Sequence, residues 1–456
     1  MKFVAEACDA EIRNGNADVE INNICTDSRL AKAGDLFLAL RGERFDGHRF
    51  IEEVVAKGVT AVLVEKQKIP LTFPNCAVLA LDDVRAAYGK IAAAYRKDFS
   101  LPVAAVGGSN GKTTVKELLA SVLRQKFSTL WSEASFNNDI GVPATLLRLE
   151  KSHQAAVVEV GTNHPGELAP LVRMAQPKFG VITNIGREHL EFFGEVAGVA
   201  QEEGWLAELL PTDGILLLNG DNEWTEKVAA RTKAKIIRVG TGEKNDWRAK
   251  KIRLDKNGVT FQVESEKKDF SGEYRVNLLG KHQATNALFA IAIGEELGLG
   301  HAEIQRGLAE CPLPEMRLNF WEANGVRVLD DAYNANADSM IAALETLCGL
   351  PLQGRRVAVL GDMAELGVHS AAAHAEVGRR AAELGLGQLF AIGKMAPVMA
   401  SAARAAGLTR VIEFTEVEAA LPAMKNLLKP GDVVLLKASR SARLERIAEV
   451  LKAEKY

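Results

Sequence analysis

Val106-Gly107-Gly108-Ser109-Asn110-Gly111-Lys112-Thr113-Thr114 is a glycine-rich turn set between two regular elements. Residues 102–106 before it form a short apolar run that reads as a buried strand. After it, Val115, Leu118, Leu119, Val122 and Leu123 recur at helical spacing. A strand, a glycine turn and a helix N-terminus together make an anion site, because backbone N–H groups converge there and the helix dipole favours negative charge. Gly108, Ser109, Asn110 and Gly111 supply the loop, Lys112 the reach to terminal phosphates, and Thr113 or Thr114 a hydroxyl for Mg²⁺. The strict P-loop spacing needs glycine where Val106 stands, so the loop is a shorter variant. A plain turn with a chance lysine would lack the flanking strand, the helix and the paired threonines.

Working outward, 456 residues allow about three domains of ~150 residues. Apolar content of 47% and charged content of 25% are ordinary globular values, so disorder is not the default. A net charge of −3 with scattered basic residues argues against a nucleic-acid partner. Cys8, Cys25, Cys76, Cys311 and Cys348 are odd in number, widely spaced and without a CxxC pair. They predict free thiols rather than a zinc site or a disulfide framework. The N-terminus has no signal-peptide pattern, and no apolar run approaches about 18 residues. A cytoplasmic protein without membrane insertion is expected.

Three units are expected: 1–99, 100–312 and 313–456. In the first, strand-like runs fall at 35–40, 61–64 and 77–81, with helices at 50–57 and 82–96. In the second, apolar runs at 155–160, 181–185 and 215–218 alternate with helical patterns and predict a parallel sheet covered on both faces. Residues 247–279 alternate polar and apolar, with Asn257-Gly258 as a hairpin turn, which predicts a small antiparallel appendage. In the third, runs at 357–360, 389–392, 411–414 and 433–436 separated by alanine-rich helices predict a doubly wound, Rossmann-like unit. The class is α/β throughout.

Several residues are candidates for chemistry. Glu159 ends a buried strand downstream of the phosphate loop, where nucleotide folds place a Mg²⁺ ligand; capping a neighbouring helix is the plainer alternative. His189 follows another strand and is a candidate second metal ligand or a structural histidine. Asn137 and Asn138 read locally as loop residues. Asp330–Ser339, the segment 360–367 and Lys437-Ala438-Ser439-Arg440 carry polar groups at the ends of predicted strands, where open α/β sheets bind ligands.

In combination these motifs resemble the Mur ligase family, which adds amino acids to the peptidoglycan precursor, and most of all its D-alanyl-D-alanine-adding branch. The resemblance spans essentially the whole chain. It rests on Thr26-Asp27-Ser28-Arg29, Gly34-Asp35-Leu36-Phe37, Asp46-Gly47-His48, the loop, Asn137-Asn138, residues 159–166, His189, residues 280–286, Arg317, residues 331–339 and residues 361–367. It implies an N-terminal UDP-sugar-binding unit, a central ATPase unit and a C-terminal ligase unit. It implies ATP, Mg²⁺, UDP-MurNAc-tripeptide and D-alanyl-D-alanine as the small molecules handled. The sequence does not fix the oligomeric state, and a monomer is the expectation. Ser28, Asp46 and His48 would hold the UDP-sugar end, with Asn138 also on the substrate side. Lys112 and the loop would bind ATP phosphates, and Thr113, Glu159 and His189 would surround two Mg²⁺ ions. Asn286, Arg317 and Asp331 would grip the nucleotide, and Ser439 and Arg440 would serve the incoming dipeptide or domain closure.

One departure stands out. The family usually carries a carbamylated lysine shortly after the histidine, yet no lysine occurs between Lys178 and Lys227. Glu203 aligns best with it, Glu202 being adjacent, and is expected to supply the missing anion directly or through water. Smaller departures are Ala337 for a usual proline, Met316 for a usual glycine and Gln283 for a usual asparagine. The rival readings are a sister ligase that adds a diamino acid, a folylpolyglutamate-synthase-like ligase, and a nucleotide-binding regulator without catalysis. The sister's Asp-Asn-Pro-Arg tetrad is absent here.

Overall fold

Buried strands rich in Val, Leu, Ile and Ala build three sheets, one in each third of the chain. The structure is a computed structural model that describes residues 1–42, 45–68, 73 and 75–453. In the central sheet all five residues of Val103–Gly107 are buried, which is the signature of a parallel strand covered on both faces. It lies between Phe179–Ile182 and Ala155–Glu159, both parallel to it. Val106 pairs in register with Glu159 on one side and Val181 on the other. Glu159 is thereby level with the start of the glycine loop. Thr129–Trp131 closes that edge, and Ile215–Asn219 and Lys235–Gly240 extend the other. The chain's first central strand sits mid-sheet, so connections diverge to either side and leave a crevice at its C-terminal end.

The antiparallel appendage is continuous with the central sheet. Trp247–Asp255, Gly258–Ser265 and Gly272–Val276 are the last three strands of the same nine-stranded sheet, joined where Val239 pairs with Trp247 and Gly240 with Arg248. The hairpin turn is one residue earlier than expected. Asp255 pairs with Gly258, so Lys256 and Asn257 make the tip. Gly258 has φ +140, and a Cβ there would lie 2.0 Å from the Val276 carbonyl oxygen. The neighbouring strand, as well as the turn, demands that glycine.

The first sheet runs Glu11–Asn14, Ala77–Leu81, Ala61–Glu65, Leu36–Leu38, Ile24–Cys25, parallel except for its first pair. The helix expected at 50–57 is a 3₁₀ turn, Gly47–Phe50, followed by Ile51–Ala56. The helix Val84–Arg96 starts at Asp83, whose carboxylate accepts from the Ala86 N–H at 2.9 Å. It leaves this sheet and packs against the central helices Gly141–Leu146 and Leu168–Ala175. Its last residue, the buried Arg96, donates to the Ala175 carbonyl at 3.1 Å.

The third sheet runs Asn319–Ala323, Val326–Asp330, Val433–Lys437, Arg356–Gly361, Gln388–Ile392, Val411–Phe414. Only its first pair is antiparallel. All five cysteines are free thiols, four of them buried. Among the described residues no helix is long and apolar enough to cross a membrane.

Candidate active site

A cavity of about 580 Å³ opens at the C-terminal end of the central strands, beneath the third unit. Lys112, Thr113, Glu159 and His189 from the central unit line it together with Arg317, Asp331 and Ser439 from the third. Ser109, Asn110, Gly111, Thr114, Asn138 and Asn286 lie on its wall as well.

The glycine loop is fixed from behind. The Ser109 N–H donates to the Asn184 carbonyl at 2.8 Å, and the Asn110 N–H to Asn184 Oδ1 at 3.1 Å. The Gly108 N–H donates to Glu203 Oε2 at 2.6 Å. These three N–H groups therefore hold the loop and are not offered to a ligand. Gly108 has φ +104, and a Cβ there would lie 2.5 Å from Thr183 Oγ1. The ligand-facing donors come one step later. Helix Lys112–Leu123 starts from Gly111, which has no side chain to cap it, and its first intrahelical bond joins the Val115 N–H to the Gly111 carbonyl at 2.8 Å. The Lys112, Thr113 and Thr114 N–H groups thus lack intrahelical acceptors, at the positive end of a twelve-residue dipole.

Lys112 Nζ donates to the Gly108 carbonyl at 2.5 Å, the Ser109 carbonyl at 3.3 Å and Glu188 Oε2 at 3.1 Å. Burial alone would lower its pKa, but Glu188, Glu203 and Glu159 around it outweigh that and raise it. Glu159 is 1% exposed. Its Oε1 accepts from Asn137 Nδ2 at 2.9 Å and its Oε2 has no partner. Thr113 Oγ1 lies 3.1 Å from Ser135 Oγ and accepts from Arg317 at 3.0 Å. The Arg317 guanidinium also stacks over Tyr333, 4.4 Å from the ring centre. His189 sits at φ +48 with Nδ1 2.5 Å from Glu365 Oε2, and that contact holds the Glu365 carboxyl below the usual range.

The other candidates are distributed unevenly. Asn286 Nδ2 donates to Gln283 Oε1 at 2.8 Å. Asp331 is fully engaged: Oδ2 with Lys437 at 2.6 Å, Oδ1 with the Leu318 N–H at 3.2 Å. Asn138 Oδ1 accepts from the Ile140 and Gly141 N–H groups and so starts the helix that follows. Ser439 Oγ accepts from the Ala364 N–H and donates to the Ala335 carbonyl, joining two loops of the third unit. Arg440 is exposed, 3.4 Å from Glu445, and does not line the cavity. Ser28, Asp46 and His48 are off the cavity wall, in the first unit. His48 Nε2 accepts from the Glu65 N–H at 3.0 Å, so its proton is on Nδ1, which donates to Asp46 Oδ1 at 2.7 Å. A bond from Lys68, more than that from His48, holds the Asp46 carboxyl well below the usual range.

Among the described residues no cluster of three or more His, Cys, Asp or Glu is arranged to hold a metal ion directly. Two buried carboxylate oxygens on the wall, Glu159 Oε2 and Glu188 Oε1, nevertheless have no partner. That donor set fits Mg²⁺, which takes one or two carboxylates, keeps several waters and prefers oxygen.

The Mur ligase family, catalytic domain matches residues 20–96, the Mur ligase middle domain 106–294, and the Mur ligase, glutamate ligase domain 316–440. The UDP-N-acetylmuramoyl-tripeptide--D-alanyl-D-alanine ligase of Escherichia coli (strain K12) is 36% identical over 97% of this chain and 96% of its own. The chain belongs to the Mur ligase family. A crystal structure of MurF from Acinetobacter baumannii superposes with TM-score 0.90 at 35% identity, covering 99% of this chain and 98% of that one. MurF ligase from Thermotoga maritima, solved in complex with ADP, gives 0.83 at 27% identity over 95% and 98%.

Set against other Mur ligases, the departures acquire physical form. Glu203 is fully buried behind the loop on Gly108, not on the cavity wall, so the expected direct contact with a cation is not what this geometry provides. Glu202 caps a helix instead, accepting from the Gly166 and Leu168 N–H groups. Met316 adopts φ +51, a conformation that costs a non-glycine residue about 1 kcal/mol or more. Sequence reading missed Glu188, which pairs with Lys112, and Lys116, whose fully buried ammonium donates to the Ser132 and Ala134 carbonyls and shapes the loop carrying Ser135 and Asn137. Lys116 is one helical turn past Lys112, and a lysine on the buried face of a helix was the available signal.

Proposed function

We propose that this Mur ligase joins D-alanyl-D-alanine to UDP-MurNAc-tripeptide in an ATP-dependent reaction through an acyl phosphate. The observation that carries this is one cavity in which a lysine and helix N–H groups without intrahelical acceptors meet residues of the third unit. We divide the labour among units 1–99, 100–312 and 313–456 as UDP-sugar, ATP and amine carriers, in a monomer without a nucleic-acid partner.

The tripeptide's terminal carboxylate attacks the γ-phosphorus of ATP, and the bond from that phosphorus to the ADP oxygen breaks. The amine of D-alanyl-D-alanine then attacks the acyl carbon, the acyl C–O bond breaks, phosphate leaves carrying the bridging oxygen, and the amine gives up a proton. Lys112 and the helix N–H groups bind and neutralise the phosphates. Arg317, Asp331 and Asn286 hold the nucleotide from both sides of the cavity. Mg²⁺, when bound near Thr113, Glu159 and His189, would supply further charge neutralisation on the phosphates. Glu203 acts through the loop, fixing the Gly108 N–H. Ser28, Asp46 and His48 shape the UDP-sugar end, Asn138 the acceptor side, and Ser439 and Arg440 the dipeptide side.

The test is phosphate release from ATP with UDP-MurNAc-tripeptide, with and without D-alanyl-D-alanine. Release that needs the dipeptide, with a matching mass gain on the UDP-sugar, is the expected result. Release with a diamino acid and the dipeptide precursor instead would assign the sister activity. Release with neither pair would contradict the proposal.

A further inference from the structure

Glu188 lines the cavity, is 6% exposed, and offers one oxygen to Lys112 while the other has no partner. Around Lys112 stand three buried acidic side chains, Glu188 and Glu159 on the cavity wall and Glu203 behind the loop, so acidic groups outnumber the one ammonium. Each of the three keeps one unpartnered oxygen. Lys112 has three donors and uses all of them, two on loop carbonyls and one on Glu188. The carbonyls belong to the loop itself. The partner that an incoming phosphate can displace is therefore Glu188.

Displacement has a consequence in charge. Once Lys112 turns to a phosphate, Glu188 is a buried carboxylate with neither oxygen paired, facing a polyanion across the cavity. A buried charge stripped of its partner is strongly destabilising. A divalent cation between the phosphates and the cavity's carboxylates removes that penalty.

We propose that Glu188 is the displaceable counter-ion of Lys112 that makes nucleotide binding conditional on a divalent cation. This rests on the reading of the cavity as an ATP site and adds a means by which metal-free nucleotide is refused. The role belongs to the Glu188 carboxylate's charge, not to its shape.

Titration calorimetry of the full chain with ADP and with a non-hydrolysable ATP analogue, each in Mg²⁺ and in EDTA, tests it. Wild type should bind far more tightly with Mg²⁺. Glu188→Gln should tighten metal-free binding and shrink the ratio of the two dissociation constants by about tenfold or more, the scale of removing an unpaired buried charge. Glu188→Asp, which keeps the charge, should keep most of the ratio. Equal binding by wild type with and without Mg²⁺ would overturn the proposal without any variant. An unchanged ratio in Glu188→Gln, with both constants shifted together, would overturn it while leaving the ATP reading intact. Nucleotide binding by no form of the protein would overturn both.

Discussion

At the scale of single residues, the site is governed by buried charge. Glu203 shows this most directly. Burial, then the neighbouring Glu188, push its carboxyl up to about 8, against the pull of Lys112 and the Gly108 N–H. Between the ordinary carboxylate range and about 8, the folded protein keeps a proton that the unfolded chain releases. Stability contributed by this group is therefore present at low pH and lost as pH rises through that window. Glu203→Gln keeps an acceptor for Gly108 and removes the titration. The variant should melt at a higher temperature than wild type at pH 8.5, and the gap should close towards pH 5 in thermal denaturation. A gap that widens at acid pH would refute this. The phosphate loop was readable from sequence because all its parts are local. Glu188 and Lys116 were not, because their importance arises only when Lys112, Glu203 and the 132–137 loop converge from distant positions.

At the scale of elements, many strands that carry an apolar run were legible, and strands without one were not. Residues 61–65, 77–81 and 155–159 announce themselves as buried runs. Glu11–Asn14 and Ile24–Cys25 do not, since four and two residues carry no usable period and are placed by pairing with neighbours. The antiparallel strands were recognised by alternation, but their fusion to the parallel sheet is a tertiary fact. Helix Ala337–Gly349 illustrates what the family departures mean. Asn336 caps it, accepting from the Ser339 N–H at 2.9 Å, and stands in extended backbone at φ −133, ψ 173. Ala337 is thus the first helical residue, where an N–H has no intrahelical acceptor and proline fits. The preceding residue already has the conformation proline requires. Ala337→Pro should stabilise the protein by about 0.4–1 kcal/mol in chemical denaturation, mainly by restricting the unfolded chain. A loss of stability would mean that the fully buried Ala337 has no room for the ring.

At the scale of the whole molecule, the third unit is docked over the phosphate loop by polar contacts. Arg187 binds Asp338 with a backbone N–H at 2.9 Å and its guanidinium at 2.6 Å, and also pairs with Glu376. Asn336 Nδ2 donates to Asn110 Oδ1 at 3.0 Å, and the Glu191 N–H to the Glu365 carbonyl at 3.0 Å. These contacts surround the cavity, so docking and completion of the site are one event. Three sheets in one chain then serve a reaction with three substrates, and the cavity is where the reacting groups must meet. The most direct measurement uses UDP-MurNAc-tripeptide carrying ¹⁸O in its terminal carboxylate, with ATP and D-alanyl-D-alanine, and weighs the released phosphate. One ¹⁸O transferred from the carboxylate to phosphate for each amide bond formed is the predicted result. Amide formation with unlabelled phosphate would contradict the acyl-phosphate route.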